Sequence, residues 1–126
     1  MKDTVVDMVV VDSERHITVL LSGELDRATA PGARDRLLEL ASTTDRPLLL
    51  DLGGISFFDA EGMRAISAAA RAGERHGLAV VGLRPFAAKM FRILHLHESI
   101  PLCETQQEAL WCLLPRTDTE IADWLS

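Results

Sequence analysis

Residues 56–66 read SFFDAEGMRAI: an apolar run stops at Asp59, and a helix-forming stretch begins directly after it. An acidic residue between a strand-like run and an amphipathic one is the signature of a strand-to-helix junction, because its carboxylate can accept hydrogen bonds from the free amides of the first turn. From Asp59 to His76, Met63, Ile66, Ala70 and Gly73 fall on one stripe, while Arg64, Arg71, Glu74 and Arg75 fall largely off it. This spacing predicts an amphipathic helix from 59 to 76, closed by Gly77. Upstream, LLLDLGGI at 48–55 is a short continuous apolar run ended by glycines, which suits a central strand buried on both faces.

Working outward, residues 4–11 are mostly β-branched or apolar, and HITVLLSGEL at 16–25 resumes that character after the turn-like DSER. Two strands joined as a hairpin are expected. Thr29 as N-cap, Pro31 in the first turn and Leu37, Leu38 and Ala41 at helical spacing predict a helix from about 30 to 42. LAVVGL at 78–83 predicts a further strand, and PFAAKMFRILHL at 85–96 a helix led by proline. A short strand near 100–102 and a helix from about 105 to 113, ended by Pro115, follow. Strands alternating with helices imply an α/β layer fold. In the tail, Thr117, Glu120, Ile121, Trp124 and Leu125 predict a short helix covering an apolar patch of the domain or of a second copy.

The chain has 126 residues, 48% of them hydrophobic and 25% charged, with a formal charge of −6. One domain with a real core is expected. The acidity and the lack of a Lys/Arg cluster argue against nucleic acid and against an anionic membrane. MKDTVVDMVV at the start has acids among short apolar runs, neither a signal-peptide core nor a span, so a cytoplasmic protein is expected. In that compartment Cys103 and Cys112 read as buried small apolar residues.

Chemistry is sparse. Asp59 and Glu61 lie two apart with no histidine, serine or lysine beside them to complete an acid-base site. His95 and His97 lack further ligands at a metal spacing and read as surface or helix-end residues. LGGIS lacks the lysine and the spacing of a phosphate loop and reads as a turn where backbones pass closely. Arg84, before Pro85, is a solvated corner charge or a contact for an acidic partner. No catalytic residue, metal or cofactor is expected. Asp59 itself has two readings, a cap or part of an exposed helix start that meets a charged group on a partner, and spacing does not choose between them.

Taken together, LSGELDRATAP, LLLDLGGISFFDAEGMRAI and GLAVVGLRPFAAKMFRILHL, with their spacing, resemble the STAS domain of bacterial anti-sigma factor antagonists. GELD at 23–26 and FRILHL at 91–96 strengthen the likeness, which covers about residues 4–113 and leaves 114–126 as a tail. The resemblance implies a STAS-type α/β fold, a mixed sheet of four to five strands with about four helices. It further implies a binding protein rather than an enzyme, one that docks on an anti-sigma factor with a serine kinase fold and so releases a sigma factor. A monomer or weak homodimer is expected.

In that family the aspartate of the motif is followed by a serine or threonine that the kinase phosphorylates; here the position is Ala60, which has no oxygen to receive a phosphoryl group. Glu61, Gly62 and Met63 complete the motif, and Glu61 places a fixed charge next to the missing acceptor. Ala60 fits a member free of phosphorylation control, an engineered alanine, or a move to another role unrelated to sigma factors, such as a scaffold or a small-molecule or lipid-transport accessory module. Glu61, a second departure from the motif, speaks against simple engineering. The resemblance implies a partner surface of Glu24, Asp26, Asp59, Glu61, Gly62, Met63 and Arg64, with Met63 read as an exposed, adaptable contact.

Overall fold

The computed structural model describes residues 6–114 and 118–125. A single mixed sheet has the order β1 (Asp7–Asp12), β2 (Ile17–Leu25), β3 (Leu48–Phe58), β4 (Leu78–Val81) and β5 (Leu102–Cys103). β1 and β2 form the expected antiparallel hairpin, and all later neighbours are parallel. Parallel neighbours require crossovers, which are supplied by α1 (Ala30–Thr43), α2 (Ala60–Ala72) and α3 (Pro85–Ile93).

Alternation along the strands sorts side chains onto two faces. Ile17, Val19, Leu21, Leu48, Leu50, Leu52, Leu78 and Val80 form the main core with Ala33, Leu37 and Ala41 of α1, Met63, Ile66 and Ala69 of α2, and Ala87 and Phe91 of α3. The opposite face carries a smaller cluster, Leu49, Ala79 and Val81, closed by Ala109 of α4 (Gln106–Leu113). Because β3 and β4 are covered on both sides, their continuous apolar runs are accounted for. The tail contains α5 (Asp118–Leu125); Thr117, read as its cap, lies outside the described residues, and the side chains of Ile121 and Trp124 are not described.

Several boundaries differ from the sequence reading, each for a physical reason. β3 does not stop at its glycines but runs on to Phe58. Its register with β2 slips between Leu20 and Ser22 and again between Gly23 and Glu24. A Cβ on Gly54 would lie 2.8 Å from the Leu21 carbonyl oxygen, so the backbones do pass closely, but within the sheet and not at a turn. α2 ends at Ala72 with Gly73 as its C-cap, four residues short of His76, and Gly77 (φ +98°) instead turns the chain into β4. β4 ends before Gly82, whose φ is +81°. α3 ends at Ile93 because His95 takes a left-handed φ of 60°; a single 3-10 turn, Leu96–Glu98, follows. Thr29 precedes α1, yet its hydroxyl makes no cap bond and donates instead to the Glu24 carbonyl at 2.6 Å. Finally, Cys112 is exposed and Cys103 only partly buried, contrary to the reading of both as core residues.

Candidate functional site

The β3–α2 junction is held by Asp59. Its backbone is extended, so its side chain folds over the helix start, where Oδ1 accepts from the amides of Glu61 at 2.9 Å and Gly62 at 3.1 Å. The capping reading of Asp59 therefore stands. The other oxygen, Oδ2, accepts from the amide of Arg27 at 3.0 Å, in the loop between β2 and α1. That loop is itself built on Asp26, whose Oδ1 accepts from Ala28 and Thr29 at 2.9 and 3.1 Å in an Asx turn. The hydroxyl of Thr29 accepts from the Asp26 amide at 3.0 Å and joins the same network. Two loops far apart in sequence thus form one ordered ledge, with both oxygens of Asp59 bound to backbone amides. A carboxylate so engaged is a structural clamp between the two loops.

Ala60 is exposed on this ledge, at the first position of α2. Glu61 is half-buried in the first turn and pairs with the exposed Arg64 one turn on. Glu24 and Asp26 are partly buried beside them. The structure overturns one part of the expected surface. Met63 is 1% exposed and belongs to the main core, so it cannot be an adaptable exposed contact. Its place on the buried stripe of α2 follows from the same helical spacing that predicts the helix. Gly62 is buried too: a Cβ there would lie 2.4 Å from the Leu25 carbonyl oxygen, so its role is to let α2 approach the end of β2.

Sequence reasoning missed the aromatic side of the ledge. Phe57, which points away from the core where Phe58 points into it, is 52% exposed, and Phe86 at the start of α3 is 70% exposed. With Leu52, Ile55, Leu83 and Arg84 they line a groove of about 110 Å³. Arg84 is exposed, and its Nε donates to the Ile55 carbonyl at 3.2 Å, which fixes the guanidinium at the groove. The groove is small beside pockets that enclose a drug-sized ligand, which run to about 300–1,000 Å³. The period-2 alternation of strands was the available signal: in FF at the end of a strand, one ring must face outward.

The remaining candidates stay peripheral. His95 meets Glu98 at 3.2 Å and both histidines are exposed, as expected. Among the described residues no group of three or more metal-ligating side chains occurs, and no helix is long and apolar enough to cross a membrane.

The STAS domain family model matches residues 7–109. No curated protein sequence matches the chain. In structure it is similar to an anti-sigma factor antagonist from Mycobacterium paratuberculosis, with 24% identity, coverage of 89% of this chain and 97% of that one, and a TM-score of 0.79. It is also similar to an anti-sigma-factor antagonist (STAS) domain protein from Planctomyces limnophilus, with 16% identity, coverage of 84% and 97%, and a TM-score of 0.72. A third likeness is to murine Solute Carrier 26 family member A9, an anion transporter, with 18% identity, a TM-score of 0.64, and coverage of 78% of this chain but 17% of that one.

Proposed function

The chain belongs to the STAS domain family, and from that premise we propose that it is an anti-sigma factor antagonist-like binding protein. In this reading it docks on an anti-sigma factor of serine kinase fold, releases a sigma factor, and escapes the phosphorylation that would switch it off. The observation that carries the reading is the ordered helix start: Asp59 and the β2–α1 loop hold an exposed position at which the side chain is the methyl of Ala60. A phosphate there would add about −1.5 to −2 charges to a contact surface; without a hydroxyl that change does not arise. Glu24, Asp26, Glu61 and Arg64 supply the polar part of the docking surface, Asp59 and Gly62 shape it, and Phe57 and Phe86 supply apolar anchors.

The test is affinity capture from native extract with mass spectrometry. Calorimetry on the recovered protein and incubation with Mg²⁺ and labelled ATP follow. A kinase-fold anti-sigma factor that binds the wild-type chain and leaves it unphosphorylated is the expected result. Capture of transporter subunits, with no binding to such a kinase, overturns it and favours the second reading, a STAS scaffold or transport accessory, which the likeness to an anion transporter supports.

A further inference from the structure

The groove beside the ledge does not end at Phe86, because the outer face of α3 extends it. Ala87 and Phe91 fill the core side of that helix. At helical spacing the opposite side then carries Phe86, Lys89 and Ile93, with Met90 and Arg92 along its flanks. Ile93 and Leu94, just past the helix, are exposed like Phe86. Phe86 and Ile93 stand nearly two turns apart, roughly 10 Å along the axis, so the apolar surface outruns the groove and suits an extended or helical segment of chain. The charge is one-sided as well. α3 contains Lys89 and Arg92 and no acid, and Arg84 directly precedes it, although the chain as a whole carries −6. Lys89 and Arg92 are exposed and have no ion-pair partner among the described residues. Arg84 is held through Nε on the Ile55 carbonyl, which leaves Nη1 and Nη2 without a partner among the described residues. Those two nitrogens form the fork that grips a carboxylate in paired bonds.

We propose that the outer face of α3, together with the groove between Phe57 and Phe86, is the docking surface for an acidic amphipathic segment of a partner protein. An apolar side chain of that segment seats between the two rings, a carboxylate beside it takes the fork of Arg84, and acids about a turn further on meet Lys89 and Arg92. Burial of the rings supplies most of the affinity. Lys89 and Arg92, as exposed charges, set the orientation of the segment and speed its encounter more than they hold it. Arg84 does more, because its guanidinium is already pinned and loses little freedom when a carboxylate arrives. A lipid surface offers anionic and apolar groups as well, but Phe57 and Phe86 line a concavity and the acidic chain as a whole is repelled by anionic lipid. This docking surface rests on the function proposed above, with which it shares Phe57 and Phe86, and it adds the chemistry of the segment that enters.

The experiment pans a random peptide library displayed on phage against the full chain. Enriched peptides are then synthesised and titrated against wild type, Arg84→Gln, Arg84→Lys, Phe86→Ser and the double variant Lys89→Gln with Arg92→Gln. All four positions are exposed, so the variants should melt with wild type. Enriched peptides should carry aspartate or glutamate next to leucine, methionine or phenylalanine. Their affinity should fall about tenfold or more in Arg84→Gln and in Phe86→Ser, and Arg84→Lys should recover only part of it, because an ammonium lacks the fork. The double variant should slow association and flatten its dependence on salt, with less effect on dissociation. Enrichment of basic or uncharged peptides, no enrichment above an unrelated protein, or undiminished binding by Arg84→Gln and Phe86→Ser would overturn the proposal. So would co-sedimentation of wild type with phosphatidylglycerol vesicles that the double variant loses, which identifies a membrane surface instead. A kinase-fold partner that binds wild type and Arg84→Gln equally sinks this surface and leaves the proposed function standing. Acidic peptides held by Arg84 and Phe86, with no such kinase captured, do the reverse.

Discussion

The carboxylate of Asp59 ties together two segments 32 residues apart: one oxygen caps α2 through Glu61 and Gly62, and the other accepts from the amide of Arg27 at 3.0 Å. Burial of the flanking Leu25 and Phe58 keeps the two segments in register, and the Asp59 amide itself donates to the Leu25 carbonyl at 3.3 Å. The helix start and the loop before α1 therefore share one anchor, and whatever loosens one loosens the other.

Replacing Asp59 with alanine removes both functions. A lost cap costs about 1 kcal/mol, and the amide of Arg27 loses its partner as well, so a total of about 1 to 2 kcal/mol is expected. Thermal unfolding should report the loss, and hydrogen exchange should quicken at Arg27 and Glu61 together. Faster exchange at Glu61 alone would show that the tie to Arg27 does not operate.

Gly62→Ala adds a methyl where the Leu25 carbonyl oxygen would be 2.4 Å away and the Leu25 Cγ 3.0 Å away. Backbone cannot yield as a side chain does, so α2 must shift, at about 2 kcal/mol or more. Urea unfolding checks this. A variant as stable as wild type would show that α2 moves outward freely.

Met63 and the two exposed phenylalanines should separate stability from binding. Met63→Ala, in the core, should lower stability by about 2 to 5 kcal/mol. Phe57→Ala and Phe86→Ala should leave unfolding almost unchanged and weaken binding to the proposed kinase-fold partner by more than about 1 kcal/mol each. Calorimetric titration against that partner decides it; unaltered affinity in both phenylalanine variants removes the groove from the docking surface.

Incubated with the proposed partner kinase, Mg²⁺ and labelled ATP, the wild-type chain should stay unlabelled and Ala60→Ser should accept phosphate at that position. Ser56 lies on β3 with its hydroxyl donated to the Gly23 carbonyl at 3.2 Å, and Ser67 lies well inside α2, so neither stands at the helix start. Glu61 repels the γ-phosphate, although its pairing with Arg64 offsets part of that charge. Transfer to Ala60→Ser should therefore be slow and should speed up when Glu61 is also changed to alanine. Site mapping that finds wild-type label on Ser56 or Ser67 at a signalling rate would show that the switch survives.

Local patterns were legible because their causes are local. The cap at Asp59 spans a few residues, and the stripe of α2 needs only the helical period, so both could be read before any fold was known. The hairpin and the alternation of strands and helices followed in the same way, and with the resemblance they defined the STAS architecture. Boundaries were less legible where a distant backbone decides them. Nothing in LGGIS says that β2 slips its register opposite Gly54, and nothing near His95 says that α3 must end there.

The site divides along the same line. By itself the sequence determined that a helix begins after Asp59, that its first residue is an alanine without a phosphate-accepting oxygen, and that the stripe carrying Met63 is apolar. Motif membership had placed Met63 on the surface; packing put it in the core, because α2 lies close enough to β2 that Gly62 alone fits between them. It took the folded chain to show that Asp59 reaches Arg27 and that Phe57 and Phe86 flank one groove. Each of these contacts joins residues from different elements, and their proximity depends on how the chain returns across the sheet, which no short-range periodicity encodes.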